Sequence, residues 1–119
     1  MRDFRELQVW QKAHRFALHV YRLTRTFPVE ERFGLIVQLR RSATSVPANL
    51  AEGCGRTGEK ELSRFTGIAA GSASEAEYEL LLAHDLGYLK QEDYQVASTQ
   101  VQEVKRMLSG LRKKLTADS

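Results

Sequence analysis

Basic side chains recur at spacings of three and four residues near the beginning of the chain. The series consists of Arg5, Gln8, Lys12, Arg15, His19 and Arg22, which on an α-helix lie within an arc of roughly 100°. No Asp or Glu occurs from Leu7 to Val29, although acidic and basic residues four apart stabilise exposed helices. Lysine and arginine gain affinity for nucleic acid by releasing counterions from its phosphates. We call this series the α1 basic stripe, after the first predicted helix, α1, near residues 4–26. It predicts a nucleic-acid-binding face, with a solvated face and a surface for an acidic protein as alternatives. The face consists of Arg5, Lys12, Arg15, His19 and Arg22.

A second series of polar side chains follows in the next predicted helix. Spacings of three, four, four and three residues connect Gln38, Arg41, Ser45, Asn49 and Glu52. We call this series the α2 polar stripe, after the second predicted helix, α2, near residues 30–52. It lies roughly 130° around the helix from the apolar side. Ser45 and Asn49 can reach backbone groups, including the Ala43 carbonyl whose helical donor Pro47 removes, and Arg41 and Glu52 can form charge-assisted hydrogen bonds. We interpret the stripe as a structural network or subunit contact; a catalytic carboxylate–amide pair is the alternative.

Other candidates for catalysis or metal binding are isolated. His14 and His19 are five residues apart and fall on different helix faces, and His84 has only Asp85 beside it, so no helical zinc site is predicted. Cys54 lies in a glycine-rich turn that is expected to be exposed, and we interpret it as an incidental thiol. The glycines there precede Glu59-Lys60-Glu61 instead of the Lys-Ser/Thr pair of a phosphate loop. We therefore expect no catalytic activity, no cofactor and no bound metal.

Length and charge set the class of protein. A chain of 119 residues is expected to form one domain with an apolar core that needs no metal or disulfide. Its net charge is +3, and residues 1–57 carry 10 Lys/Arg against 5 Asp/Glu, a distribution that favours a polyanionic partner. The single cysteine excludes an internal disulfide, and no apolar run resembles a signal peptide or a membrane span. These features predict a soluble cytoplasmic protein.

Proline and glycine divide the chain into four predicted helices. Phe27-Pro28, the segment 53–58 and Gly87 interrupt helical patterns, which leaves helices near residues 4–26, 30–52, 58–86 and 92–115. Thr57 is the expected N-cap of the third. Because the connections are short, neighbouring helices should run antiparallel. The predicted fold is all-α, an up-down-up-down four-helix bundle over residues 1–119.

Apolar residues at spacings of three and four support this division. The fourth helix has the clearest seam, formed by Tyr94, Ala97, Val101, Val104, Leu108, Leu111 and Leu115. On the first helix, apolar residues from Leu7 to Tyr21 spread over roughly 180°, more than one core-facing stripe requires, which predicts a contact with another chain. Gly67 and Gly71 on the third helix are expected to allow close packing inside the bundle, with a contact to another chain as the alternative.

The most specific sequence pattern lies in the second helix. Gln38-Leu39-Arg40-Arg41-Ser42-Ala43, followed by Ser45-Val46-Pro47-Ala48-Asn49-Leu50-Ala51-Glu52-Gly53, resembles the four-helix-bundle proteins encoded in intervening sequences of bacterial 23S ribosomal RNA genes. Val9-Trp10-Gln11, Phe27-Pro28 and Leu86-Gly87-Tyr88-Leu89 extend the similarity over nearly the whole chain. Lys90 departs from it where a serine-like cap is commoner.

The resemblance implies an oligomer. Members of this family are similar to the accessory variability protein of diversity-generating retroelements, and this similarity implies ring-shaped homopentamers with basic surfaces that bind nucleic acid, and a possible protein partner such as a reverse transcriptase. The α2 polar stripe matches the family's signature, whereas the α1 basic stripe is inferred from this sequence alone. We therefore predict a non-enzymatic, oligomeric nucleic-acid-binding protein that prefers structured RNA. An assembly adaptor for a partner enzyme is the alternative.

Overall fold

The computed structural model describes residues 2–117, and four long helices account for most of them. The helices are α1 (Gln8–Thr24), α2 (Leu35–Gly55), α3 (Glu59–Asp85) and α4 (Gln91–Ala117), and no strand occurs in this range. Each helix packs antiparallel against the next, and α1 also packs against α4. The predicted all-α, up-down-up-down bundle is confirmed. No helix among the described residues is long and apolar enough to cross a membrane.

The core follows the predicted apolar seams. Five of the seven seam positions of α4 are buried, and the other two, Tyr94 and Leu111, are half-buried. Small residues on α3 let its neighbours approach, since Ala69, Ala73 and Ala76 are all inaccessible to solvent. The largest side chains with no appreciable exposure include Phe16, Leu39 and Leu80. Each seam is therefore the side of its helix that faces the centre of the bundle.

The first two helices begin later than predicted. Phe4–Glu6 form a separate 3-10 turn, capped by the Asp3 carboxylate, and the extended backbone of Leu7 separates this turn from α1. Val29–Glu31 form a second 3-10 turn, and α2 begins only at Leu35. A helix from residue 30 was wrong because Gly34, with φ −114° and ψ −109°, is not helical.

The turn between α2 and α3 also differs from the prediction. Gly58, with φ +91°, occupies the N-cap position of α3 and no side chain caps the helix, so the assignment of Thr57 was wrong. Residues other than glycine rarely adopt this backbone conformation. The glycine that allows close helix packing is Gly53, where a methyl group would lie 2.9 Å from Cβ of Phe65. Gly71 does not have this role, because a methyl group there would contact nothing within 4 Å, whereas Gly67 allows the Arg112 side chain of α4 to lie close to α3.

One carboxylate connects the two turns at the other end of the bundle. Glu31 Oε1 accepts a hydrogen bond from the Leu35 N–H at 3.1 Å, and Glu31 Oε2 accepts one from the Tyr88 hydroxyl at 2.9 Å. The Tyr88 ring also contacts the buried Phe27, with ring centroids 5.7 Å apart. Glu31 thus satisfies a backbone donor at the beginning of α2 and links it to the turn that precedes α4.

Candidate nucleic-acid interface

The five residues of the α1 basic stripe have different surroundings. Lys12 Nζ lies 3.4 Å from Glu103 of α4, and His19 Nδ1 lies 2.7 Å from the Gln100 side-chain oxygen. Arg5 lies in the 3-10 turn before α1, where it pairs with Asp3 and stacks on Phe4. The structure therefore brings two stripe residues to α4 and separates Arg5 from the helix.

Arg15 and Arg22 form the exposed part of the stripe. Both side chains are exposed, and neither has a carboxylate or hydrogen-bond partner within residues 2–117. They are seven residues apart, which is close to two turns of the helix and places them on one face. An arginine whose charge is not neutralised internally is available to bind an external anion with its planar donor fork.

A second basic segment, which was not predicted, lies at the end of α4. The segment from Val104 to Ala117 contains no Asp or Glu and contains Lys105, Arg106, Arg112, Lys113 and Lys114. Of these five cations only Lys105 has an acidic partner in the described part of the chain, Glu77 at 2.7 Å. The absence of acids is the signal that identified the α1 basic stripe, and it would have identified this segment too.

Between α3 and α4 the helices leave a groove of about 480 Å³. Small or hydroxyl-bearing residues form its surface together with three cations: the lining is Ala70, Ser74, Lys105, Ser109, Arg112, Lys113 and Thr116. Gly67 lies beside it, and a methyl group there would be 3.1 Å from the guanidinium carbon of Arg112. This α3–α4 groove is therefore polar and basic.

The groove between α1 and α2 has the opposite character. It has a volume of about 360 Å³, and most of the side chains that line it are apolar. The lining residues are Phe4, Trp10, His14, Ala17, Leu18, Tyr21, Thr44, Pro47, Ala48 and Ala51. The Trp10 ring stacks on His14 at a centroid distance of 5.0 Å and contacts Phe4 at 4.9 Å. The broad apolar face predicted for the first helix thus forms one wall of this α1–α2 groove.

The α2 polar stripe forms a network at only two of its positions. Ser45 Oγ lies 2.9 Å from Ser72 Oγ of α3, and the Asn49 amide donates to both the carbonyl and Oγ of Ser45. Asn49 therefore binds the Ser45 carbonyl and not the Ala43 carbonyl that the sequence suggested. The other three residues, Gln38, Arg41 and Glu52, are exposed, and Glu52 pairs with Arg56.

A buried carboxyl group between α2 and α3 was not predicted. Glu79 is 5% exposed, and its Oε1 lies 2.7 Å from Ser42 Oγ, which is also 3.0 Å from the Gln38 carbonyl oxygen. Burial raises the pKa of Glu79, the hydrogen bond from Ser42 opposes this shift, and the charge of Glu75 adds to it. Ser42 has a single hydroxyl hydrogen for two acceptors, the Glu79 carboxyl oxygen and the Gln38 carbonyl oxygen.

Cys54 corrects another expectation. It is 1% exposed and packs with Leu62 and Leu115, because α2 continues through the first glycines to Gly55. Burial raises the pKa of its thiol, which disfavours the reactive thiolate. Among residues 2–117 no three His, Cys, Asp or Glu side chains are grouped so as to hold a metal ion.

The bundle and its sequence can be compared with known proteins. A crystal structure of a protein of unknown function from Bacteroides thetaiotaomicron, assigned to the S23 ribosomal protein family, is similar to this chain with a TM-score of 0.79 and 26% identity. The similarity covers 88% of this chain and 98% of the other. No curated protein matches the chain.

The family comparison agrees with the second-helix pattern. The sequence profile described as 23S rRNA-intervening sequence protein matches residues 5–110, a range that includes α1, α2, α3 and most of α4. The α2 polar stripe lies inside this match, and so does all of the α1–α2 groove except Phe4. Arg112, Lys113 and Lys114 of α4 lie beyond it. The chain belongs to the 23S rRNA-intervening sequence protein family.

Proposed function

We propose that the protein is a non-enzymatic, homo-oligomeric nucleic-acid-binding protein that contacts mainly phosphates. The supporting observation is a set of exposed cations without acidic partners in the described chain, on two helices that pack side by side: Arg15 and Arg22 on α1, and Arg106, Arg112, Lys113 and Lys114 on α4. α1 itself contains no Asp or Glu, and Glu103 of α4 is already bound to Lys12. The surplus positive charge on these two helices favours a polyanion.

The contacts expected from these residues set the mode of binding. Arginine and lysine bind phosphate oxygens, which carry no base identity, so binding should tolerate changes of sequence. The preference for structured RNA and the ring-like assembly of five subunits are supported by the resemblance to retroelement accessory proteins. Lys12 and His19, at the contact with α4, would add to the surface that Arg15 and Arg22 begin.

Salt-dependent binding tests this proposal. Affinity for a stem-loop RNA and for duplex DNA of the same sequence is measured by fluorescence anisotropy between roughly 50 and 200 mM salt. The slope of log affinity against log salt should be steep for the wild type. In Arg15→Gln/Arg22→Gln, which removes two cations without breaking any internal contact, the slope should decrease by up to about 2.

A matched variant separates local contacts from total charge. Lys60→Gln/Lys90→Gln removes the same charge from exposed positions outside α1 and α4, and its slope should stay close to that of the wild type. Absence of salt-dependent binding by the wild type would reject the proposal. An equal loss in both double variants would show that net charge, and not the α1 face, carries the binding.

The α1–α2 groove favours a second candidate function, that of an assembly adaptor. Leu18 is 46% exposed at this groove, and Tyr21 beside it is also exposed. An apolar groove of this kind matches the apolar side of a helix from a partner protein, such as a reverse transcriptase. In this case the protein would hold an enzyme in place without contacting nucleic acid itself.

Nuclease treatment distinguishes the adaptor from the nucleic-acid binder. The wild type, Leu18→Ser and Leu86→Ser are each used to recover partners from nuclease-treated extract. Leu86 is 50% exposed and lies outside the groove, so it is a matched control. A protein recovered with the wild type and Leu86→Ser but lost with Leu18→Ser supports the adaptor; equal recovery by all three excludes the groove as its contact.

A further inference from the structure

We propose that the α3–α4 groove is a binding site for two linked phosphate groups. That these phosphates belong to the backbone of a nucleic-acid strand rests on the function proposed above. The affinity of the groove for phosphate does not depend on that function. The site is separate from the α1 basic stripe, because it lies between α3 and α4 and no residue of α1 lines it.

Arg112 is the first group that supports the site. Its guanidinium lies against the backbone of α3, with Nη2 3.3 Å and Nε 3.4 Å from the position that a methyl group at Gly67 would occupy. A methyl group at position 67 would require the guanidinium to shift, because it would lie 3.1 Å from the guanidinium carbon. Arg112 has no acidic partner in residues 2–117, so its planar donor fork is positioned in the groove with its charge unneutralised.

Lys113 and two hydroxyl groups add donors from different directions. Lys113 lines the groove beside Arg112 and also has no acidic partner in the described range. Ser109 of α4 and Ser74 of α3 line it as well, and both are exposed without an internal hydrogen bond in that range. A tetrahedral phosphate accepts hydrogen bonds on several sides, and a guanidinium, an ammonium and hydroxyls from two helices match this geometry better than they match a flat carboxylate.

One end of the groove is electrically neutral. Lys105 binds Glu77 of α3 at 2.7 Å, and both side chains are about one-third exposed. This pair leaves Arg112 and Lys113 as the cations free to bind an anion among the groove residues. Because two cations are free, we expect the groove to bind two negatively charged phosphate groups that are linked to each other.

The lining excludes several other ligands. It contains no aromatic ring on which a nucleobase could stack and no large apolar side chain that could anchor a protein helix. Recognition of a single strand without an aromatic platform must depend on its backbone. Gly71, beside Ala70, has open space where a side chain would be, so the sugar–phosphate chain can approach α3 closely.

Tripolyphosphate is the probe that tests the groove without nucleic acid. Titration followed by amide NMR should shift resonances of Gly71, Ser109 and Arg112 ahead of those on α1. Because each charge-assisted contact contributes appreciably, Arg112→Gln/Lys113→Gln should bind at least about tenfold more weakly. Lys60→Gln/Lys90→Gln should bind like the wild type. A hexaglutamate peptide should not produce the same shifts.

Each outcome decides between the two proposals. Shifts spread over all basic surfaces, equal weakening in both double variants, or equal binding of hexaglutamate would overturn the phosphate site. If tripolyphosphate binds in the groove but a short single-stranded RNA does not, the site remains and its source is a free oligophosphate. If that RNA binds and only Arg15→Gln/Arg22→Gln weakens it, the function proposed above remains and the groove is rejected as its RNA site.

Discussion

The two grooves of the bundle have similar sizes and opposite chemistry. The α1–α2 groove is built from rings and aliphatic side chains such as Trp10 and Leu18, and its exposed surface is suited to another apolar surface. The α3–α4 groove has alanine and serine on one wall and Arg112 and Lys113 on the other. The comparison shows that a pair of antiparallel helices can form a groove suited to an apolar protein surface or a groove suited to an anion, depending on the size of the residues along one wall.

The tight contact that separates the grooves is the most sensitive point of this comparison. Gly53→Ala would place a methyl group 2.9 Å from Cβ of Phe65 and 3.0 Å from Leu62 Cδ1, and α2 and α3 would have to move apart. We expect the free energy of unfolding to fall by about 1–3 kcal/mol, measured by urea denaturation. An unchanged midpoint would show that the α2–α3 contact does not set the separation of the grooves.

The α3–α4 groove has exposed charged side chains, whereas Glu79 is an ionisable side chain in the interior of the bundle. Its pH dependence tests whether the interior disfavours a charge. Because its pKa is raised by burial, its contribution to stability is complete below the unfolded pKa of about 4.3 and is lost as the pH rises through the folded value. Glu79→Gln should therefore be more stable than the wild type at neutral pH, by roughly 1 kcal/mol. The two curves of stability against pH should converge in acid. A constant difference across the whole pH range would contradict a raised pKa of Glu79.

A smaller effect is expected at Gly71, next to the groove-lining Ala70 on α3. Gly71→Ala introduces a methyl group that meets nothing within 4 Å, so the higher helix propensity of alanine should raise thermal stability by about 0.5–1 kcal/mol. The same variant should bind tripolyphosphate more weakly, because the methyl group narrows the approach to α3. Destabilisation would mean that Gly71 is part of the packed interior after all.

The smallest effects are expected from the exposed linings themselves. Leu18→Ser and Arg112→Gln/Lys113→Gln each change exposed side chains, and their unfolding free energies should stay within about 0.5 kcal/mol of the wild type. Circular dichroism melts provide the measurement. A large loss in either variant would show that its groove is a structural element and not a surface reserved for binding.

The sequence predicted the fold because periodicity reports directly which side of a helix is buried. Seams such as Ala97, Val101 and Leu108 are buried as expected. Local signals were less informative at helix ends. Thr57 has a side chain that can cap a helix, but Gly58, with its positive φ, is the N-cap of α3. Cys54 lies among glycines that suggest a turn, but the helix includes it and tertiary packing buries it.

The candidate sites were predictable only in part. The surplus charge of the first helix was visible, but its division between α4 partners and free arginines depends on which residue of α4 faces Lys12 or His19. The α3–α4 groove combines residues far apart in sequence, and Gly67 acquires its role only when Arg112 lies across it. The Ser42–Glu79 contact likewise joins two helices at a register that no single-helix pattern contains.

The Glu31 carboxylate fixes the relation between the two grooves. One groove belongs to the hairpin of α1 and α2 and the other to the hairpin of α3 and α4, and Glu31 with Tyr88 joins these hairpins at one end. Sliding of one hairpin along the other would break that hydrogen bond and the Phe27–Tyr88 ring contact together. The two grooves therefore keep a constant distance from each other along the bundle axis, and a ligand or partner that binds both must match that distance.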